Sequence, residues 1–216
     1  MTVLQQMGQR AQEAARFLRT VSAKEKNGAL LSIAAHLEKS EADILKANGL
    51  DIEATKVSGM TSSLLDRLTL TPKRIQDMAR SVEEVAALPD PVGKVLGGQT
   101  LPNGLRMQKV SVPLGVAGMI YEARPNVTVD AAVLCLKSSN ACILRGGKEA
   151  IHSASALERV MREALEESGF PDGCIQLVKD TSRESALELM KLNRYLDVLI
   201  PRGGAGLIRS VVENAT

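Results

Sequence analysis

The sequence predicts an α/β fold: a helical amino-terminal segment, a β-hairpin, then an open doubly wound parallel sheet. Three observations carry that expectation. From Leu114 onward, short apolar runs alternate with helix-period patterns, the mark of successive β-α units. Those runs are nearly continuous rather than alternating, as in strands covered on both faces. Residues 1–91, in contrast, hold only helix-period patterns that end at a proline break.

Taken in order, Val3, Leu4, Met7, Ala11, Ala14, Ala15 and Leu18 recur at helical spacing and give the first helix one apolar face. Ser22 and Glu25 have capping-box spacing ahead of a second helix that carries Leu30, Ile33, Ala34 and Leu37. A third starts near Ser40, turns Ile44 and Leu45 inward, and fades at Val57-Ser58-Gly59. Thr71-Pro72 is an N-cap followed by a proline whose missing N–H costs nothing there. That helix stops at Leu88-Pro89-Asp90-Pro91. Residues 94–101 and 105–112 flank Pro102-Asn103-Gly104 and form a hairpin, Asn-Gly being a strong turn signal. Strands follow at about 116–121, 141–145, 174–179 and 196–200, with helices at about 127–138, 149–168, 182–193 and 205–213. Thr181 and Glu184 offer a further capping-box spacing. Strands joined by helices run parallel through right-handed crossovers. The chain therefore divides into a helical segment at 1–91, a hairpin at 92–112 and an α/β core at 113–216.

Composition narrows the function. A net charge of +2 over 216 residues, with two Phe, two Tyr and no Trp, argues against a nucleic-acid partner. No apolar run is long enough to span a bilayer, and residues 1–10 lack a charged leader with an apolar core, so a cytoplasmic protein is expected. Cys135, Cys142 and Cys174 are too few and too scattered for a metal cluster; Cys135 and Cys142 read as buried hydrophobes, and no metal site is expected. His36 and His152 stand alone on predicted helices.

Two apolar runs end in arginine-glycine turns. Residues 141–144 lead into Arg145-Gly146-Gly147-Lys148, and the run ending at Ile200 leads into Pro201-Arg202-Gly203-Gly204. In a parallel sheet, ligands bind at the carboxyl ends of strands. Glycine there admits phosphate oxygens close to the backbone, and the following helix offers unpaired N–H groups. The usual G-x-G-x-x-G fingerprint is missing after the first strand of the core. No acidic residue closes the second strand; Arg145 and Lys148 stand there instead, which favours a 2′-phosphate and so NADPH over NADH. Glu149 either opposes that preference or caps the next helix. Arg124 reads equally as a bidentate clamp for a substrate carboxylate or phosphate and as an ion-pair partner of Glu122 or Asp130. Asn126 also reads as an N-cap.

The segments SVPLGVAGMIYEARPNVTVDAAVLCLKSSNACILRGGKEA and LDVLIPRGGAGLI, with LLDRLTLTP, LPDPVGKV and NGL upstream, resemble the gamma-glutamyl phosphate reductases. These glutamate-5-semialdehyde dehydrogenases are a branch of the aldehyde dehydrogenase superfamily, and the resemblance covers essentially the whole chain. It implies reduction of L-glutamate 5-phosphate with NADPH to L-glutamate 5-semialdehyde and phosphate, a step of proline biosynthesis. In that chemistry a cysteine thiolate expels phosphate, and hydride then reduces the thioester. The family's cysteine lies in a Cys-Asn motif of a second domain, beyond Thr216, so the nucleophile is expected outside this chain and the 216 residues alone are expected to be inactive. By the same resemblance, Arg145, Gly146, Gly147 and Lys148 cradle the adenosine ribose, and Arg202, Gly203 and Gly204 meet the pyrophosphate. Asn126 matches the asparagine that holds the oxyanion, while the substrate contact of Arg124 rests on the reading of the residues alone. Residues 92–112 resemble an oligomerisation element, which implies a homo-oligomer when complete; association with glutamate 5-kinase is also expected. Two other readings stay open: another aldehyde dehydrogenase relative, and a non-catalytic nucleotide-binding or interaction module.

Overall fold

Helix caps written into the sequence set where the first helices begin. The computed structural model describes residues 1–56 and 61–216. Helix α1 (Val3–Leu18) starts from a Thr2/Gln5 capping box, and α2 (Ala23–Lys39) from the Ser22/Glu25 box. Helix α3 spans Glu41–Lys56 and α4 spans Ser62–Leu68; α5 (Pro72–Ala87) has Thr71 as N-cap and Pro72 in its first turn. Helix α4 has no counterpart among the expected elements, and the fading of α3 at Val57-Ser58-Gly59 lies outside the described residues. Every residue assigned to the apolar face of α1 is buried except Val3, which is 71% exposed at the first turn.

Strands β1 (Val95–Thr100) and β2 (Arg106–Val110) pair antiparallel as an exposed hairpin, turned at Gly104 with φ +84°. The core is a parallel sheet of β3 (Val116–Tyr121), β4 (Ala141–Arg145), β5 (Ile175–Leu177) and β6 (Val198–Arg202) in the order β5-β4-β3-β6. Helix α6 (Pro125–Lys137) packs on β3 and β4, and α7 (Ile151–Glu167) on β5. Helix α1 packs against β3, β4 and β5 without a matching contact to α6 or α7, so it covers the other face. Helices α2, α3 and α5 form an outer layer on α6 and α7. The chain closes with α8 (Arg183–Met190) and α9 (Ala205–Asn214).

Several boundaries moved for physical reasons. Strand β6 begins two residues later than expected because the N–H groups of Tyr195 and Leu196 turn back to Leu192 O. It ends later too, since Pro201 is tolerated where β6 forms the sheet edge. Strand β5 stops at Leu177, ahead of a turn in which Asp180 accepts Ser182 N–H at 2.8 Å. Ser182, not Thr181, caps α8: its hydroxyl accepts Ser185 N–H at 3.2 Å, and α8 stops at Met190. Helix α6 starts at Pro125 with Arg124 as N-cap, so Asn126 lies inside the helix and is not its cap.

Candidate functional site

The strand order places β4 and β5 on one side of β3 and β6 on the other. That reversal opens a crevice at the carboxyl ends of β3 and β6, where ligands of open α/β sheets bind. Register levels the turns: Ile120 pairs with Arg145, and Tyr121 with Arg202. The Gly146-Gly147 and Gly203-Gly204 turns both close on the residues that end and follow β3, Gly147 on backbone and the others on the side chains of Tyr121 and Glu122. A Cβ on Gly147 would stand 3.3 Å from Ala123 N, and one on Gly146 would meet the Tyr121 ring at 3.1 Å. A Cβ on Gly203 would reach 2.7 Å from the carboxyl carbon of Glu122. A side chain at Gly146 or Gly147 would crowd the end of β3, and one at Gly203 would displace the Glu122 carboxylate.

The charged groups at this edge divide by what already holds them. Arg145 donates through Nη2 to Thr181 O at 2.8 Å and Ser182 O at 3.0 Å, which anchors the turn before α8. Its Nε is buried without a partner. Burial lowers its guanidinium below the usual range, opposed by Asp180 and Glu149. Lys148 is exposed and has no ion-pair partner among the described residues. Glu149 lies in a 3-10 turn (Lys148–Ala150), with a carboxylate oxygen near Gly147. Arg202 is exposed at the end of β6. Glu122 accepts the Gly204 N–H at 2.9 Å, so a carboxylate lies across the N-terminus of α9.

Arg124 and Asn126 open onto a neighbouring cleft of about 400 Å³ between α5 and the start of α6, which Arg67, Asp77 and Asp130 also line. Neither Glu122 nor Asp130 forms the ion pair considered for Arg124. Asn126 donates through Nδ2 to Asp130 at 3.2 Å, leaving one amide N–H uncommitted. Burial raises the Asp130 carboxyl above its ordinary value, opposed by Arg202 and by the Asn126 bond. Arg67 lies on α4, which has no counterpart among the elements the sequence predicts, and in sequence Glu122 and Asp130 read only as partners of Arg124.

The thiols stand apart from this edge. All three cysteines are free and buried. The Cys142 thiol is pushed well up by its contact with Cys135 and by burial, and Cys174 is pushed up to about 12 by burial. A protonated, buried thiol is a poor nucleophile. No group of His, Cys, Asp and Glu suited to a metal ion occurs among the described residues, and no helix there is long and apolar enough to cross a membrane.

The aldehyde dehydrogenase family model matches residues 3–216. The chain belongs to the aldehyde dehydrogenase family. It is similar to the gamma-glutamyl phosphate reductases of Moorella thermoacetica, 58% identical over 99% of this chain and 51% of that protein, and of Geobacillus kaustophilus, 54% identical over 100% and 52%. The crystal structure of gamma-glutamyl phosphate reductase from Thermotoga maritima superposes with a TM-score of 0.97 at 42% identity, over 100% of this chain and 52% of that one. The Saccharomyces cerevisiae reductase gives 0.92 at 32% identity, over 100% and 55%. The chain thus spans about half the length of the curated relatives it matches. Within the aldehyde dehydrogenase family architecture, the glycine turns and Glu122 occupy the sheet edge, and Asn126 leads from that edge into the cleft.

Proposed function

We propose that the chain is the cofactor-binding half of a gamma-glutamyl phosphate reductase, which reduces L-glutamate 5-phosphate with NADPH to L-glutamate 5-semialdehyde and phosphate in proline biosynthesis. The observation that carries the reading is the closure of two glycine turns on one strand end, level with each other and flanked by Lys148 and Arg202. The two glycine turns and the Nε of Arg145, which has no partner among the described residues, fit a phosphate-rich dinucleotide. NADPH, when bound, supplies the hydride.

This chain's own residues bind and orient. Gly203, Gly204 and the N-terminus of α9 hold the pyrophosphate, while Lys148 meets the 2′-phosphate as a mobile cation. Arg145 acts mainly as the anchor of the turn at 181–182. Asn126 donates its free N–H to the oxygen that gains charge at the acyl carbon. Arg124 contacts the substrate's anionic end. The nucleophile comes from the remaining half of the protein, since the three thiols here are buried and stand apart from the sheet edge. The hairpin pairs with a second subunit.

Fluorescence titration of the whole protein tests the cofactor assignment. NADPH is expected to bind about tenfold more tightly than NADH, as a charge-assisted contact to the extra phosphate requires. Lys148→Ala narrows the difference. Equal affinities for the two cofactors in the unmodified protein would sink it. For the reaction, acyl-phosphate-dependent NADPH oxidation with matching phosphate release is expected, and its absence in the intact protein overturns the assignment.

A further inference from the structure

The geometry points to a cleft that reads an amino-acid acyl phosphate by both signs of its charge: Arg67 takes the α-carboxylate, Asp130 the α-ammonium and Arg124 the phosphoryl group. This rests on the reductase reading above and adds the residues that select the substrate.

The assignment comes from separating occupied charges from free ones. Arg74 belongs to the wall: it donates to Asp66 Oδ1 at 2.8 Å and to the carbonyls of Asp66 and Thr69. Asp77 is shared with Arg80 at 3.7 Å. What remains is Arg67, Arg124 and Asp130, none of which has an ion pair within 4.0 Å among the described residues. Two unpaired cations and one unpaired anion therefore share a space of about 400 Å³ whose floor is the buried Leu70 and Met78. A substrate with two anionic ends, one ammonium and a short methylene chain complements all four features. A plain aliphatic aldehyde would leave the part-buried Asp130 without a cation, which is costly, and would offer the exposed Arg67 and Arg124 no anion. A site built to bond a polar group rejects the analogue that lacks it far better than an apolar pocket rejects an extra methylene.

Position on α6 supports the roles. Asn126 and Asp130 are one turn apart on the same helix face and joined at 3.2 Å. The carboxylate is thereby fixed beside the amide proposed to hold the reacting carbonyl. Half-burial leaves Asp130 short of compensating charge, since Arg202 is its main favourable electrostatic neighbour.

Calorimetry on the whole protein with L-glutamate, glutarate and 4-aminobutyrate separates the contributions. Glutarate lacks the ammonium, and 4-aminobutyrate lacks the α-carboxylate. L-Glutamate is expected to bind about tenfold or more tighter than either, the worth of one charged hydrogen bond. Asp130→Asn is expected to erase the preference over glutarate, and Arg67→Gln the preference over 4-aminobutyrate. Each ratio is taken within one variant, so a general loss of affinity does not imitate the effect. No discrimination in the unmodified protein, or ratios unchanged in the variants, would overturn the proposal. NADPH titration of the same samples keeps the two claims apart. Intact NADPH preference with unaltered ratios defeats only the cleft assignment, whereas equal NADPH and NADH affinity defeats the cofactor reading.

Discussion

Glu122 lies where a cofactor's anion is expected. Its carboxylate accepts the Gly204 N–H at 2.9 Å and lies close over Gly203, where a Cβ would displace it. A negative group at a helix N-terminus gains about 0.3–1 kcal/mol from the unpaired N–H groups. A pyrophosphate at the same N-terminus needs the same donors, so Glu122 competes with it. Replacing it with glutamine keeps an oxygen for Gly204 and removes the charge. Glu122→Gln is therefore expected to tighten NADPH binding about two- to fivefold, the equivalent of that helix-end interaction. If fluorescence titration gives weaker binding, the carboxylate assists the cofactor instead of displacing it. The glycine turns were visible in the sequence as strand ends followed by Gly-Gly, a pattern that a plain structural turn also gives. Glu122 was not: its partner lies 82 residues away, and only the sheet order brings the two together.

Between elements, burial of a lysine ties three helices at one end of the molecule. Lys26 of α2 is 1% exposed, and its Nζ donates to Ser139 Oγ at 2.9 Å and Lys137 O at 3.2 Å. It pairs with Asp90 at 2.7 Å just beyond α5. Lys137, at the end of α6, donates in turn to Asn27 Oδ1 at 2.7 Å and Ala86 O at 2.8 Å. Burial alone would raise the Asp90 carboxyl, but the bonds from Lys26 and Val92 outweigh it and hold it below the usual range. A depressed carboxylate contributes stability that is present above its unfolded value of about 3.9 and is lost as pH falls through the lower folded value. Asp90→Asn leaves Lys26 charged and unpaired, which costs about 3 kcal/mol. For a chain of this size that is about 6–12 °C in Tm at pH 7. Thermal melts of the two proteins are expected to draw together as pH falls below the unfolded value and to converge only below the depressed folded value, where the native carboxylate is itself protonated. A gap that persists undiminished in acid would show that packing, not the ion pair, sets the difference. Local signals fared well at this scale and long-range ones did not. The Ser22/Glu25 box and Thr71-Pro72 caps needed only neighbouring residues. Thr181 and Glu184 had the right spacing, but Ser182 prevailed because Arg145 holds the carbonyls of Thr181 and Ser182 and Asp180 fixes Ser182 N–H.

At the scale of the whole molecule, the parallel sheet and the hairpin are in opposite physical situations. Strands β3 and β4 are covered on both faces, which is why nearly continuous apolar runs mark them in the sequence. Every residue of β1 and β2 is exposed, Leu96 to 61% and Val95 to 59%. A two-stranded ribbon that buries nothing is marginal in water, and one that shows Val95, Leu96, Met107 and Val110 to solvent invites association. The sequence marked the hairpin through Asn103-Gly104, but its exposure depended on which helices pack on the sheet. A second copy of the protein is the expected cover, consistent with the resemblance of residues 92–112 to an oligomerisation element. Leu96→Asp places a charge on that surface without removing a contact from the core, since Leu96 packs against none of it. Sedimentation of the whole protein is expected to shift toward the single-subunit species, with the shift largest at low concentration. The melting of the separated subunit should change little, as for a surface substitution worth about 0.5 kcal/mol or less. Unchanged sedimentation at every concentration would mean that subunits meet elsewhere. A collapse in melting temperature together with dissociation would instead mean that the subunit's fold depends on the cover it loses.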